Sequence, residues 1–192
     1  MARTADFFIW VAPKDQIDYA YQNARIRIAN GEYARDGRLN DEQRTEKIVI
    51  GYIGEYGFQH WCNLKNIDIE YLGEIVGNGP DDGDFKSRVG LIIDVKTQEN
   101  QYTPQVDWRC EVTDDQVHRD VSIDIYVFCK LQIRNGIYTL YIVGWEYEKD
   151  FKKNSIYRKR GDILRGRRVH YPKWDITISE LKALDTLIDV IQ

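Results

Sequence analysis

The chain has 192 residues, 43% of them hydrophobic and 30% charged, with a formal net charge of -4 at neutral pH. That composition suits a single globular domain with a substantial core, and it excludes a membrane-spanning helix, because no apolar run approaches the ~18 residues such a helix needs. The three cysteines, Cys62, Cys110 and Cys129, are scattered without any Cys-x-x-Cys spacing, which argues against disulfides, a structural zinc and an iron-sulphur cluster.

The apolar run 5–11 is too short for a signal peptide, so the cytoplasm is the expected compartment and no membrane partner is expected. Ile17, Ala20, Tyr21, Ala24 and Ile28 then recur at helical spacing, which predicts an amphipathic helix over 14–30, stopped by Asn30-Gly31. The polar loop after it carries Arg35 and Arg38, either plain surface or ligand contacts. Asn40 supplies an N-cap, Gln43 completes a capping box, and Asp41 and Glu42 suit the positive end of a helix. That second helix should reach Trp61 or Cys62, and Gly51, Gly54 and Gly57 recur in it at three-residue steps. A glycine costs about 1 kcal/mol against alanine in a helix interior, so the series implies close approach of the helix backbone to a sheet. Glu55 lies within this strip. A helical glutamate most often faces solvent, but one beside a glycine-lined contact face has something to point at.

Residues 67–72 read as a strand and 77–83 as a turn-rich segment. They lead into Asp84-Phe85-Lys86-Ser87-Arg88-Val89-Gly90-Leu91-Ile92-Ile93-Asp94-Val95-Lys96, the stretch around which the chain is organised. Residues 89–95 are predominantly apolar and branched, too short for a helix and suited to a buried strand. Strand alternation puts Asp94 and Lys96 on one face and Val95 on the other. The turn before Asp84 implies an antiparallel pair that carries Asp84 to the mouth of the strand bearing Asp94. Two carboxylates and a lysine there make a site for a hard divalent ion and a water. Asp81 and Asp82 are rival ligands, although turn aspartates usually bond to their own backbone. Set against this, an acid two residues before a lysine also arises wherever a core strand runs out into solvent.

Farther on, a strand is expected around 106–112, and the charged stretch 113–120 stays unassigned. Residues 124–133 and 137–147 form a hairpin on Asn135-Gly136, a strong two-residue turn signal. A short helix over 148–153 follows. Lys152, Lys153, Arg158, Lys159, Arg160, Arg165, Arg167 and Arg168 are offset by one acid, Asp162, and make either a solvated loop or a phosphate-contacting surface. The net charge alone does not advertise a nucleic-acid binder. Thr177 and Glu180 form a second capping box, which predicts a last helix with Leu181, Leu184, Leu187, Ile188 and Ile191 on its packed face. The expected organisation is one domain over 1–192: N-terminal helices in 1–62, a sheet core in about 63–151, and a basic loop with a C-terminal helix in 152–192.

Gly51-Tyr52-Ile53-Gly54-Glu55, then Asp82-Gly83-Asp84-Phe85 leading to Ile93-Asp94-Val95-Lys96-Thr97, then Asp124-Ile125-Tyr126-Val127-Phe128, Tyr141-Ile142-Val143-Gly144-Trp145 and Asp150-Phe151 follow in an order that resembles the PD-(D/E)xK nuclease superfamily. The resemblance spans about residues 45–151. It implies an α/β (α+β) fold, a central mixed β-sheet flanked by helices, with a restriction-endonuclease-like core. It also implies metal-dependent hydrolysis of phosphodiester bonds in DNA, with Mg²⁺ as cofactor and Mn²⁺ as a substitute. Asp84 and Asp94 would ligate the ion with the backbone carbonyl of Val95, Lys96 would orient the attacking water, and Glu55 would complete the site through a water or a second metal. Pro80, which in the family often precedes the first acid, adjoins Asp81 here; Phe85 and the following spacing favour Asp84 as the ligand. Cutting two strands needs two sites or two visits, so a homodimer is one of the two arrangements. Two other readings compete: a non-catalytic nucleic-acid-binding or assembly module on the same fold, and an unrelated α+β protein whose Asp94-Val95-Lys96 merely ends a core strand.

Overall fold

The computed structural model describes residues 6–30, 39–73, 83–119, 121–164 and 166–192. It begins with a strand, β1 (Phe8–Val11), ahead of the two expected helices, α1 (Lys14–Ala29) and α2 (Asp41–Leu64). The capping box that starts α2 is formed in both directions: Gln43 N–H donates to Asn40 Oδ1 at 2.8 Å, and Asn40 N–H to Gln43 Oε1 at 3.1 Å. Then come β2 (Ile69–Tyr71), β3 (Phe85–Ser87), β4 (Ile92–Asn100), β5 (Arg109–Thr113), α3 (Asp114–Val117), β6 (Ile125–Arg134), β7 (Ile137–Tyr147) and α4 (Glu148–Asn154). The chain closes with β8 (Ile156–Arg158), β9 (Ile163–Leu164), β10 (Arg167–Arg168), β11 (Lys173–Thr177) and α5 (Ile188–Ile191).

Six strands make a mixed sheet in the order β1-β7-β6-β4-β3-β2, flanked by helices as expected. The β6–β7 hairpin turns on Asn135 and Gly136 at φ 52° and 76°, the left-handed pair that such a turn requires. β4 and β6 pair in parallel, from Ile93↔Ile125 to Asn100↔Gln132. A parallel pair needs a crossover, and here the crossover carries β5 and α3 away from the sheet. β5 joins β11 and β8 in a separate three-stranded sheet.

Each face of the large sheet has its own core. Ile93, Val95, Ile125, Val127 and Leu131 pack with α1 and α2. Tyr126, Phe128, Tyr141 and Val143 pack with Cys110, Val112 and Ile176 of the small sheet. β6 is therefore buried at every position from Ile125 to Leu131, the mark of a strand covered on both sides. The glycines of α2 do what their spacing implied at two of three positions. A Cβ on Gly54 would lie 1.8 Å from Thr97 Oγ1, and one on Gly57 2.2 Å from Leu140 Cδ2, so only bare backbone lets α2 lie this close to β4 and β7.

Three expectations are corrected. The strand bearing Asp94 starts at Ile92, because Arg88 to Gly90 form a turn: Gly90 N–H donates to Ser87 O at 2.9 Å, with Gly90 at φ +90°. Apolar Val89 is a turn residue, 56% exposed. No continuous C-terminal helix follows Thr177. The capping box is real, with Thr177 N–H and hydroxyl both donating to Glu180 Oε2, but it starts only a 3-10 turn, Ile178–Glu180. Lys182 then exchanges backbone hydrogen bonds with Trp145 on β7 at 3.0 and 3.1 Å, which pulls the chain out of helical geometry before a second 3-10 turn and α5. Leu181 packs in the second core, Leu184, Leu187 and Ile191 in the first. Finally, the basic loop contains β8, β9 and β10: β8 is an edge strand of the small sheet, and β9 and β10 pair as a separate two-stranded hairpin. No helix among the described residues is long and apolar enough to cross a membrane.

Candidate active site

β3 pairs with β4 only through Phe85↔Ile93 and Lys86↔Ile92, and the Asp84 N–H adds a last bond to the Ile93 carbonyl at 2.9 Å. β4 runs on to Asn100, so its edge beyond Ile93 has lost that partner. The side chain of Asp84 fills the gap: its Oδ2 accepts from Val95 N–H at 2.6 Å. Within a strand the N–H and C=O of one residue point to the same neighbour, so the Val95 carbonyl faces the same opening.

Alternation does the rest. Asp94 and Lys96 stand beside Tyr126 and Phe128 on the second-core face, while Val95 is buried toward α2. Lys96 Nζ lies 2.5 Å from Asp94 Oδ2, and their side chains are only 13% and 10% exposed. The ammonium also sits 5.9 Å from the centroid of the Tyr126 ring, a cation–π contact. Glu55 arrives from α2, one residue past the glycine that seats the helix on Thr97. Its Oε2 accepts from the Tyr71 hydroxyl at 2.5 Å, which ties it to β2.

Asp84 is the electrostatic centre of the group. Burial pushes its carboxyl well above the usual range, the charges of Glu55 and Asp94 push the same way, and Lys96 and the Val95 N–H only partly offset them. Glu55, Asp84, Asp94 and Lys96 thus share one electrostatic neighbourhood, with three acids set against one ammonium. A divalent cation beside Asp84 would oppose these effects and favour the ionised form.

Among the described residues, no group of three or more His, Cys, Asp or Glu side chains stands together as a ready-made metal cage. Magnesium does not require one: it is held by one or two carboxylates, keeps several waters and takes further oxygens from a phosphate. Asp84, Asp94 and the Val95 carbonyl are a set of hard oxygens of that kind, and the surplus of negative charge around Asp84 suits a divalent ion. The residues present therefore fit Mg²⁺ or Mn²⁺. Asp81, Asp82, Arg35 and Arg38 lie outside the described residues.

The basic residues do not act as one surface. Asp175 is fully buried and is held by two guanidinium groups, Arg158 Nε donating at 3.0 Å and Arg109 to the other oxygen, so Arg158 locks β8 onto β11. Lys152 is ion-paired with Glu148 one turn earlier in α4. Lys153, Lys159, Arg160 and Arg168 are exposed. Arg165 and the side chain of Arg167 lie outside the described residues.

Two site neighbours escaped the sequence reading. Tyr71 was readable only as a strand residue, though it shares the inward phase of Ile69. Tyr126 was visible as part of an apolar strand, but the parallel register that sets it beside Asp94 has no local signal. Burial and the charges of Asp94 and Glu148 push its hydroxyl well up, with Arg119 opposing. No protein-family model matches the chain, and a comparison with curated proteins finds no match.

Proposed function

We propose that the chain is a metal-dependent DNA endonuclease of the PD-(D/E)xK type, with a restriction-endonuclease-like core, working in the cytoplasm. The observation that carries this reading is the place where β3 leaves β4: Asp84 there bonds to the Val95 N–H, between Asp94 and Lys96, which are ion-paired, and it feels the charges of Glu55, Asp94 and Lys96. A bound Mg²⁺, or Mn²⁺ in its place, held by Asp84, Asp94 and the Val95 carbonyl, would act as a Lewis acid on the phosphate and lower the pKa of a water. Lys96, fixed between Asp94 and the Tyr126 ring, donates hydrogen bonds to the attacking water or to a phosphoryl oxygen and meets the charge that develops there. Glu55, steadied by Tyr71, accepts a hydrogen bond from water on the α2 side and helps to carry its proton away. The water oxygen bonds to phosphorus, the bond to one sugar oxygen breaks, and that oxygen takes a proton.

The exposed cations Lys153, Lys159, Arg160 and Arg168 supply phosphate contacts, and a homodimer gives one active site per strand. The competing reading is a nucleic-acid-binding or assembly module with a silent site. Incubating supercoiled, linear and branched DNA with Mg²⁺, Mn²⁺ or EDTA separates the two. Nicking or cutting that EDTA abolishes is the expected result; binding without cutting under every condition would leave only the module.

A further inference from the structure

A cavity of about 390 Å³ lies between α1 and α2, within the ~300–1,000 Å³ usual for small-molecule sites, and its link to the candidate active site is Tyr71, whose hydroxyl donates to Glu55. Nothing in the proposed chemistry uses it. Its walls are three rings, Tyr19, Tyr56 and Tyr71, and three amides, Gln16, Gln59 and Asn63, with His60 completing the lining. Tyr56, Gln59, His60 and Asn63 fall at i, i+3, i+4 and i+7, which puts them on a single face of α2. The rings are braced: Tyr56 stacks on Tyr52 with centroids 5.8 Å apart, and His60 on Trp10 at 5.8 Å. Tyr19 is 47% exposed, with its ring centroid 6.2 Å from that of Tyr56. Gln16 Oε1 is buried with no hydrogen-bond partner among the described residues.

The chemistry of this lining narrows the ligand. No lysine, arginine, aspartate or glutamate among the described residues lines the cavity, which disfavours a phosphate or a metal ion. Rings for stacking and amides that both donate and accept suit a flat, neutral heterocycle with polar edges. Tyr71 joins cavity and site, since its ring lines the one while its hydroxyl holds Glu55 in the other.

The geometry points to a nucleobase site: the cavity receives an unpaired base from the strand whose phosphate lies at Asp84, Asp94 and Lys96, an inference that rests on the nuclease reading above. A base stacked inside a duplex cannot enter such a pocket without being extruded. The substrate class is therefore DNA with an unpaired nucleotide next to the scissile bond, in a single strand, a flap or a branch.

The test is equilibrium binding in EDTA, so that nothing is cut, to single-stranded, branched and fully paired oligonucleotides carrying 2-aminopurine or an abasic residue at successive positions. Cleavage of the same DNAs with Mg²⁺ or Mn²⁺ runs in parallel. Wild type should quench 2-aminopurine at one position of the unpaired strand. An abasic residue there should weaken binding about 5- to 150-fold, the worth of one base–aromatic stack. Tyr19→Ala and Asn63→Ala, both at exposed positions, should lose affinity for the intact strand and not for the abasic one. Flat abasic scans together with metal-dependent cutting of paired DNA would overturn the base site and leave the nuclease standing. Position-specific quenching without cutting in either metal would support the base site and overturn the nuclease. No binding to any DNA would overturn both.

Discussion

Gly54→Ala tests the seat of the active-site helix. An alanine Cβ at position 54 would lie 1.8 Å from Thr97 Oγ1 and 3.0 Å from Thr97 Cβ, where an ordinary contact begins at 3.4 Å. If Thr97 swings its hydroxyl away, α2 and β4 must still part by 0.4 Å (3.4 − 3.0); if this stiff β-branched side chain stays, they part by 1.6 Å (3.4 − 1.8). Overpacking of this kind costs about 1–3 kcal/mol, and replacing a helical glycine returns about 1 kcal/mol. The net loss is up to ~2 kcal/mol, a fall in Tm of up to about 8 °C for a chain of this size. Catalysis should suffer more, because Glu55 is the next residue and a displacement of about 1 Å in a reacting group costs on the order of 100-fold. Gly51→Ala is the matched control. Its Cβ would meet only Glu55 Oε1, at 3.9 Å, so the same change three residues earlier should raise Tm by about 2–4 °C. Thermal melts and DNA-cutting rates of the two variants give the answer. If Gly54→Ala melts as high as Gly51→Ala and cuts at the wild-type rate, α2 is not seated on β4 in this way.

Asp84 gives a pH-dependent expectation. Its folded-state carboxyl titrates above its ordinary value of 3.8, so above about pH 4 the folded chain keeps a proton that the unfolded chain has lost. Metal-free stability from this group is full below pH 3.8 and falls as pH rises toward the raised value. A divalent ion removes that penalty by stabilising the carboxylate, so the Tm increment from Mg²⁺ should grow with pH. Asp84→Asn should raise the metal-free Tm and abolish the increment; an undiminished increment in this variant would exclude Asp84 as a ligand. On the basic hairpin, neutralising Lys159, Arg160 and Arg168 should flatten the salt dependence of duplex binding by about 0.9 in log–log slope for each phosphate that is no longer neutralised. Arg158→Ala should instead lower stability by about 3 kcal/mol, because it strips a partner from the buried Asp175; a melt unchanged by that substitution would contradict its structural role.

Local chemistry was legible in the sequence, and non-local pairing was not. Asn40 with Gln43, and Asn135 with Gly136, act through neighbours a few residues away, so they identified a helix start and a hairpin correctly. Alternation likewise placed Asp94 and Lys96 together on β4. The glycine series on α2 implied a close approach but could not name Thr97 and Leu140, since those contacts depend on how the sheet is assembled. The C-terminal segment misled because Leu181, Leu184, Leu187 and Ile191 satisfy helical spacing while the backbone of Lys182 is claimed by Trp145. A Cβ at Gly144, beside Trp145, would sit 2.7 Å from the Lys182 carbonyl, so the bridge needs that glycine. The small sheet was hidden for a related reason. Its β8, Ile156–Arg158, lies within a stretch whose charge suggests solvent, yet Arg158 faces a buried aspartate.

The most direct test of the central claim is the single-turnover rate of DNA cleavage by wild type, Asp94→Ala and Lys96→Ala in Mg²⁺, with binding measured separately in EDTA. The expected result is metal-dependent cutting that falls by about 10²–10⁴-fold in Lys96→Ala, is lost in Asp94→Ala, and leaves DNA binding unchanged in both. Cutting undiminished in the two variants would contradict the site; no cutting by wild type on any DNA, with no metal-induced rise in Tm, would contradict the nuclease itself.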